Sequence, residues 1–401
     1  MRLIVLWHGH AISCPARILG AIQSIRFGVR PASVANPASR IYGTIAPPKM
    51  KSKPRASRKT PPYLRIATEE AFAPAELLRE WKNMLDRGGD LDPGFVGQWG
   101  YFLGSSPRAQ SIAARMSDLG EGRLRDMDST GIARQILSLT NPGVQLFAPA
   151  EAASWAISCN DQLADAIRKH PDRFSGLAAV SPQNPAAAAK ELDRAVRKLG
   201  LKGAIINSHT QGEYLDDRKF WDIFAAAESL DVPIYLHPST PSPRMYAPFA
   251  EWGLEGAIYG FAVETSLHLL RLVVSGVFDR FPKLRMVVGH LGEGLPYWFF
   301  RLDFFHRANV SSARYPNVKK LKKPRLSDYL RENVWLTTSG MAWAPPILYC
   351  QQLLGVDRVL YAMDYPYQFV PEEVKVYDTL PIPAAAKKKL FQSNAERVFH
   401  L

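Results

Sequence analysis

Residues 66-IATEEAFAP-74 run an apolar, β-prone stretch into two adjacent carboxylates, Glu69 and Glu70, where a strand should be entering a core. Successive side chains of a strand point to opposite faces. One carboxylate of the pair therefore faces inward and the other faces away, and an inward carboxylate needs a cation or hydrogen-bond donors. The bland reading makes the pair the polar end of a strand pointing at solvent. The sharper one aims Glu69 at a metal ion.

The rest of the chain repeats this kind of run. Eight strands are expected, at 64-LRIATEEAF-72, 133-ARQILSLT-140, 174-FSGLAAVSP-182, 203-GAIINSH-209, 232-VPIYLHP-238, 285-RMVVGHLG-292, 334-VWLTTSG-340 and 359-VLYAMDYP-366. Helical patterns lie between most of them, for example 151-EAASWAISCNDQLADAIRKH-170 and 186-AAAAKELDRAVRKLG-200, the latter closed by Gly200. Strands alternating with crossover helices imply a parallel sheet covered on both faces. Eight such units predict a single (β/α)8 TIM barrel over residues 63–401, with its main insertion at roughly 73–130, after the first strand. That insertion carries Arg108, Trp99, Tyr101 and Phe102 and should sit over the mouth.

Composition narrows the function. The chain has 401 residues and a net charge of +13, yet residues 1–62 hold 11 Lys/Arg and no Asp/Glu. The body, with 39 basic against 37 acidic residues, is nearly neutral and offers no general basic face for nucleic acid. The basic segment 1–62 is expected to be disordered, either a presequence or sequence upstream of a later start near Met50. Cys14, Cys159 and Cys350 are odd in number and widely spaced, which predicts neither a disulfide framework nor a zinc module. A reduced cytoplasmic setting is expected, or a mitochondrial one if the tail is a presequence. No run of apolar residues is long enough to span a membrane.

Polar residues collect at the C-terminal ends of the strands, the catalytic face of such a barrel. Glu69 and Glu70 follow the first strand, His209 and His237 the fourth and fifth, His290 the sixth, and Asp364 the eighth. Closure makes Glu69 and Asp364 neighbours, with His237 across the mouth. Glu, His and Asp form an oxygen and nitrogen donor set suited to Zn²⁺ or Mn²⁺, with positions left for substrate. Singly, each residue reads better as a structural hydrogen-bonding group; together, at the ends of strands one, five and eight, they read as ligands. In 289-GHLGEGLPYWFFRLD-303, Glu293 follows His290 at i, i+3 near a helix start, and Arg301 lies further along. The functional reading is a histidine held by Glu293, with Arg301 fixing an anionic substrate.

The motifs Glu-Glu-x-Phe-Ala at 69–73, Tyr-Leu-His-Pro at 235–238, Gly-His-x-Gly-Glu-x-Leu-Pro-Tyr-Trp at 289–298, Thr-Thr-Ser-Gly at 337–340 and Met-Asp-Tyr-Pro-Tyr at 363–367 resemble the aromatic-acid decarboxylases of the amidohydrolase superfamily. Most of that group carry Glu-x-His after strand one, where this chain has Glu69-Glu70-Ala71. In this it is similar to the branch acting on 5-carboxyvanillate. The resemblance covers residues 63–401. It implies Glu69, His237 and Asp364 as metal ligands, manganese favoured over zinc, and no organic cofactor. It further implies Arg108, His290 and Arg301 at the substrate, Glu293 orienting His290, and Tyr367 and Phe261 lining the pocket. A homodimer or homotetramer is implied as well.

The implied reaction is non-oxidative decarboxylation of an ortho-hydroxy aromatic acid, 5-carboxyvanillate to vanillate plus CO2, in the catabolism of lignin-derived aromatics. Asp364 is the expected general acid toward the ring carbon. Three other readings stand beside it: metal-dependent hydrolysis of a lactone or ester, a barrel that has lost its metal and only binds, and decarboxylation of a different hydroxybenzoate. Ala71 weakens the first, and the intact ligand set weakens the second.

Overall fold

The computed structural model describes residues 62–401, so all of the basic segment except Pro62 lies outside the described residues. The eight expected strands form as β1 (Ile66–Phe72), β2 (Arg134–Leu139), β3 (Phe174–Gly176), β4 (Ala178–Ala179), β5 (Ala204–Asn207), β6 (Ile234–His237), β7 (Met286–Val288), β8 (Val334–Thr337) and β9 (Val359–Leu360). β3 and β4 are halves of one run interrupted at Leu177. The Leu177 amide still donates to Leu137 O at 2.8 Å, while Ala178 donates to Gly203 O at 2.8 Å. The run thus hands its pairing from β2 to β5.

Every strand pair is parallel and neighbours follow chain order. The seam between last and first strands is made by Thr68 N donating to Tyr361 O at 3.0 Å and Ala71 N to Tyr365 O at 2.7 Å. With the Glu70–Tyr365 bridge this closes the sheet into a (β/α)8 TIM barrel.

One interior cluster takes a residue from each of the eight runs: Ile66, Ile136, Leu177, Ile205, Tyr235, Val287, Trp335 and Leu360. Ala395, Val398 and Phe399 of the helix Asn394–Phe399 pack against it and floor the barrel. Side chains on the outer faces of the strands, such as Leu139, Phe174, Leu236 and Val288, join the larger core beneath the helices.

Strict alternation would put Ile66 and Glu69 on opposite faces of β1. The pairing of β1 with β2 slips between Ala67 and Glu70, which face Gln135 and Leu137. This bulge inserts one residue and returns Glu69 to the face of Ile66, leaving Glu70 and Phe72 on the other.

The insertion between β1 and β2 is four helices, Ala75–Arg87, Pro93–Phe102, Pro107–Ser117 and Glu121–Thr130. Asp92 and Ser106 cap the second and third through Phe95 N at 3.0 Å and Ala109 N at 3.2 Å. Trp81 and Trp99 pack at 4.3 Å between centroids, and Trp99 Nε1 donates to Asn141 O at 3.1 Å. These contacts fasten the insertion across the loop after β2 and set Phe102 and Arg108 beside the mouth. No helix among the described residues is long and apolar enough to cross a membrane.

Candidate metal centre

Glu69 is buried, and its two oxygens have different surroundings. Oε2 accepts from Thr337 Oγ1 at 2.6 Å and from the Tyr235 hydroxyl. Oε1 is buried with no hydrogen-bond partner. Around that oxygen stand His237 Nε2 at 3.6 Å and His290 Nε2 at 3.8 Å. Donor atoms of Glu69, His290 and Asp364 all lie within 4.8 Å of one another. A lone buried carboxylate oxygen is costly unless a cation takes it, and this one is ringed by imidazole and carboxylate donors. The residues therefore fit a divalent ion bound by oxygen and nitrogen. The approach is tight: a Cβ on Gly289 would lie 2.8 Å from Glu69 Oε2 and 2.9 Å from Oε1.

The two histidines present the same atom for different reasons. His237 Nδ1 donates to Pro238 O at 2.9 Å, which puts the proton there and leaves Nε2 a free lone pair. Burial holds His237 below the ordinary histidine range against the pull of Glu69, which favours the neutral, ligating form. His290 Nδ1 donates to Glu293 Oε1 at 2.6 Å. Burial alone would lower its pKa, but Glu293, Glu69 and Asp364 together lift it to about 10. Burial also pushes the Asp364 carboxyl up, against the opposing charge of His290.

The helix expected near Glu293 is there, but Glu293 itself lies just before it on a turn. His290, Leu291, Gly292, Glu293 and Gly294 have φ of 50°, 55°, 81°, 54° and 78°, a left-handed turn, and the right-handed helix begins at Leu295. The i, i+3 pairing of His290 with Glu293 holds, but on a turn of the opposite hand. Glycine relieves two of the five positions; the other three carry roughly 1–2 kcal/mol each.

A cavity of about 370 Å³ opens over the cluster and is lined by His237, His290 and Asp364 together with Arg108, Phe261 and Tyr367. Arg108 Nη2 donates to Tyr367 O at 3.3 Å, and Tyr367 is steadied by Phe102 at 5.2 Å between centroids and by Thr140 Oγ1 at 2.5 Å. Arg301 does not line this cavity. It lies on the exposed side of the helix Leu295–Ser312, its guanidinium over the Phe305 ring at 5.0 Å. His209 is structural: Nε2 donates to Thr240 O at 3.1 Å and Nδ1 accepts Gly212 N at 3.1 Å.

Tyr235 and Thr337, which hold Glu69 Oε2, are residues of this cluster that the sequence reading passed over. Tyr235 sits two residues before His237 on β6, hence on the same face, and Thr337 opens the Thr-Thr-Ser-Gly motif. Period two alone could have found the first.

Residues 109–401 match the family model described as amidohydrolase. The chain belongs to the amidohydrolase family. Among its relatives, the γ-resorcylate decarboxylase of Polaromonas sp. (strain JS666) is 35% identical over 347 residues, 84% of this chain and 98% of that protein. Among solved structures, this amidohydrolase is similar to the 5-carboxyvanillate decarboxylase of Novosphingobium aromaticivorans, 52% identical with a TM-score of 0.83, over 85% of this chain and 98% of the other. That structure holds manganese and 3-methoxy-4-hydroxy-5-nitrobenzoic acid. The 5-carboxyvanillate decarboxylase of Sphingomonas paucimobilis is 37% identical with a TM-score of 0.80, over 84% of this amidohydrolase and 99% of its own chain.

Proposed function

We propose that this amidohydrolase decarboxylates 5-carboxyvanillate to vanillate and CO2. At the coarser level it is a metal-dependent decarboxylase of hydroxybenzoates, a carboxy-lyase. The observation that carries the reading is the unpartnered Glu69 Oε1 among His237, His290 and Asp364, beneath a cavity of about 370 Å³ with aromatic walls. Ala71, where most of the group keep a histidine, and the 52% identity to a 5-carboxyvanillate decarboxylase favour that substrate.

Glu69, His237 and Asp364 would hold the ion, manganese in preference to zinc. A bound divalent ion supplies Lewis acidity and a template for a phenolate with its ortho carboxylate. Phe102, Phe261 and Tyr367 pack the ring, and Arg108 at the rim takes a carboxylate. The His290–Glu293 pair sets a second cation beside the carboxylate that leaves. Asp364 gives its proton to the ring carbon bearing that group. The C–C bond then breaks, its electron pair restores aromaticity, and CO2 departs; solvent reprotonates Asp364. Electrons balance within the ring, so no redox cofactor takes part.

The exposed aromatic side of Leu295–Ser312 supports a homodimer, with Arg301 at the junction of the two copies. Tyr297 and Phe300 are 75% and 80% exposed, and Phe300 stacks on Phe304 at 6.4 Å between centroids, an exposed aromatic surface of the kind that serves protein contacts.

The test is a Mn²⁺-loaded assay following CO2 and the decarboxylated product from 5-carboxyvanillate and from 2,6-dihydroxybenzoate. Turnover of the first is expected. Turnover of the second alone gives the place to γ-resorcylate decarboxylation, the reading favoured by the relative matched over 98% of its length. Hydrolysis of a lactone without CO2 release would sink both.

A further inference from the structure

Glu70, on the outward face of β1, does not reach solvent: it is fully buried. Its oxygens each accept a backbone amide, Oε1 from Met363 at 2.9 Å and Oε2 from Tyr365 at 3.2 Å. These are the two amides flanking Asp364. Asp364 itself has φ of 73°, a left-handed conformation that is uncommon outside glycine, though Asp and Asn adopt it more readily than most residues. Both amides belong to buried residues, and Glu70 is the acceptor each one finds.

The support behind Glu70 is also buried. Gln135 Nε2 approaches Oε2 at 3.4 Å, and Gln135 Oε1 accepts Arg123 Nη1 at 3.2 Å. Arg123 in turn donates to Ala71 O at 2.8 Å and lies over the Tyr365 ring at 4.5 Å. Adjacent residues of one strand thus reach the same centre from two directions, Glu69 directly and Glu70 through the turn that carries Asp364.

We propose that Glu70 is a positioning residue: by accepting the amides on both sides of Asp364 it fixes the left-handed turn that aims the Asp364 carboxylate at the Glu69 cluster. The proposal rests on the placement of Asp364 among the metal ligands described above, and its deciding measurement, Mn²⁺ affinity, needs no substrate. Mn²⁺ affinity of the full chain is measured by electron paramagnetic resonance titration for wild type, Asp364→Asn, Glu70→Gln and Glu70→Asp, well below each melting temperature. Glu70→Gln keeps the shape but replaces one acceptor by an NH2 group facing an amide; Glu70→Asp keeps a carboxyl group but loses the reach. Both are expected to weaken Mn²⁺ binding about 10- to 100-fold and to lower kcat more than they raise KM. Wild-type affinity in Asp364→Asn would remove the ligand assignment. Weak binding in Asp364→Asn with wild-type affinity in Glu70→Gln would overturn the clamp. Wild-type affinity in Glu70→Asp, which tests the clamp even if Glu70→Gln does not fold, would also overturn it, because a carboxyl group at that position, not its reach to the two amides, would then be the cause.

Discussion

His290 and Glu293 meet at 2.6 Å across a turn in which both residues, and the two between them, are left-handed. The turn fixes which imidazole nitrogen faces the cavity. Glu293→Gln removes the carboxylate that does most to hold His290 in its imidazolium form. We expect kcat/KM to fall about 10- to 100-fold and its alkaline limb to move to lower pH, with manganese content unchanged by elemental analysis. An unaltered alkaline limb would take His290 out of the reaction.

Gly289→Ala places a methyl group 2.8 Å from Glu69 Oε2, closer than carbon and oxygen tolerate. Glu69 must then turn away from the histidines. Mn²⁺ affinity is expected to drop by about 10-fold or more, as for other changes that misorient a ligand. Titration of the purified variant checks it; wild-type affinity would mean the loop simply yields.

Tyr235→Phe deletes one of the two donors to Glu69 Oε2 and leaves Thr337. A buried hydrogen bond to a charged group contributes about 1.5–3 kcal/mol. In metal-free protein a smaller loss of unfolding free energy is expected, since Thr337 remains, together with weaker metal binding. Equal metal affinity in the variant would leave Tyr235 with a packing role only.

His268 lies among Ser208, Glu264 and Leu215, and its Nε2 accepts Leu215 N at 3.0 Å. Burial lowers its pKa from 6.5 to about 3, so between those values the unfolded chain binds a proton that the folded one refuses. Stability from this group is complete above pH 6.5 and is lost as pH falls. The slope approaches 1.4 kcal/mol per pH unit at most. Urea unfolding of His268→Gln between about pH 5 and 6.5 should show a shallower pH dependence than wild type. Parallel slopes would contradict it.

Phe300→Glu puts a charge in the middle of the exposed aromatic side of Leu295–Ser312. If a second copy covers that side, sedimentation or light scattering should give a dimer for wild type and a smaller species for the variant. A wild-type monomer removes the dimer and leaves Arg301 without a site to serve.

The barrel was legible because each strand announces itself by β-branched runs and its neighbours by helical period. That Glu69, His237, His290 and Asp364 gather at one mouth was legible because strand ends are where a barrel keeps its chemistry. Two things were hidden by being conformational rather than compositional. The bulge in β1 looks like ordinary alternation, and 290-HLGEG-294 has the spacing of a right-handed helix while its backbone turns the other way. Arg301 was drawn toward the site by its motif, but the side of the helix it occupies depends on where that turn releases the chain.

The seam between β1 and the last strand joins Thr68 to Tyr361, 293 residues apart. A nascent chain stalled between His290 and that strand has already made Glu69, His237 and His290, yet exposes β1 as an open edge and has not made Asp364. Such an intermediate could neither shut its sheet nor retain an ion, and would offer itself to chaperones or to pairing with a stranger. Closure and metal capture depend on the same late stretch of polypeptide, so a chain released too early is both unfinished and inert.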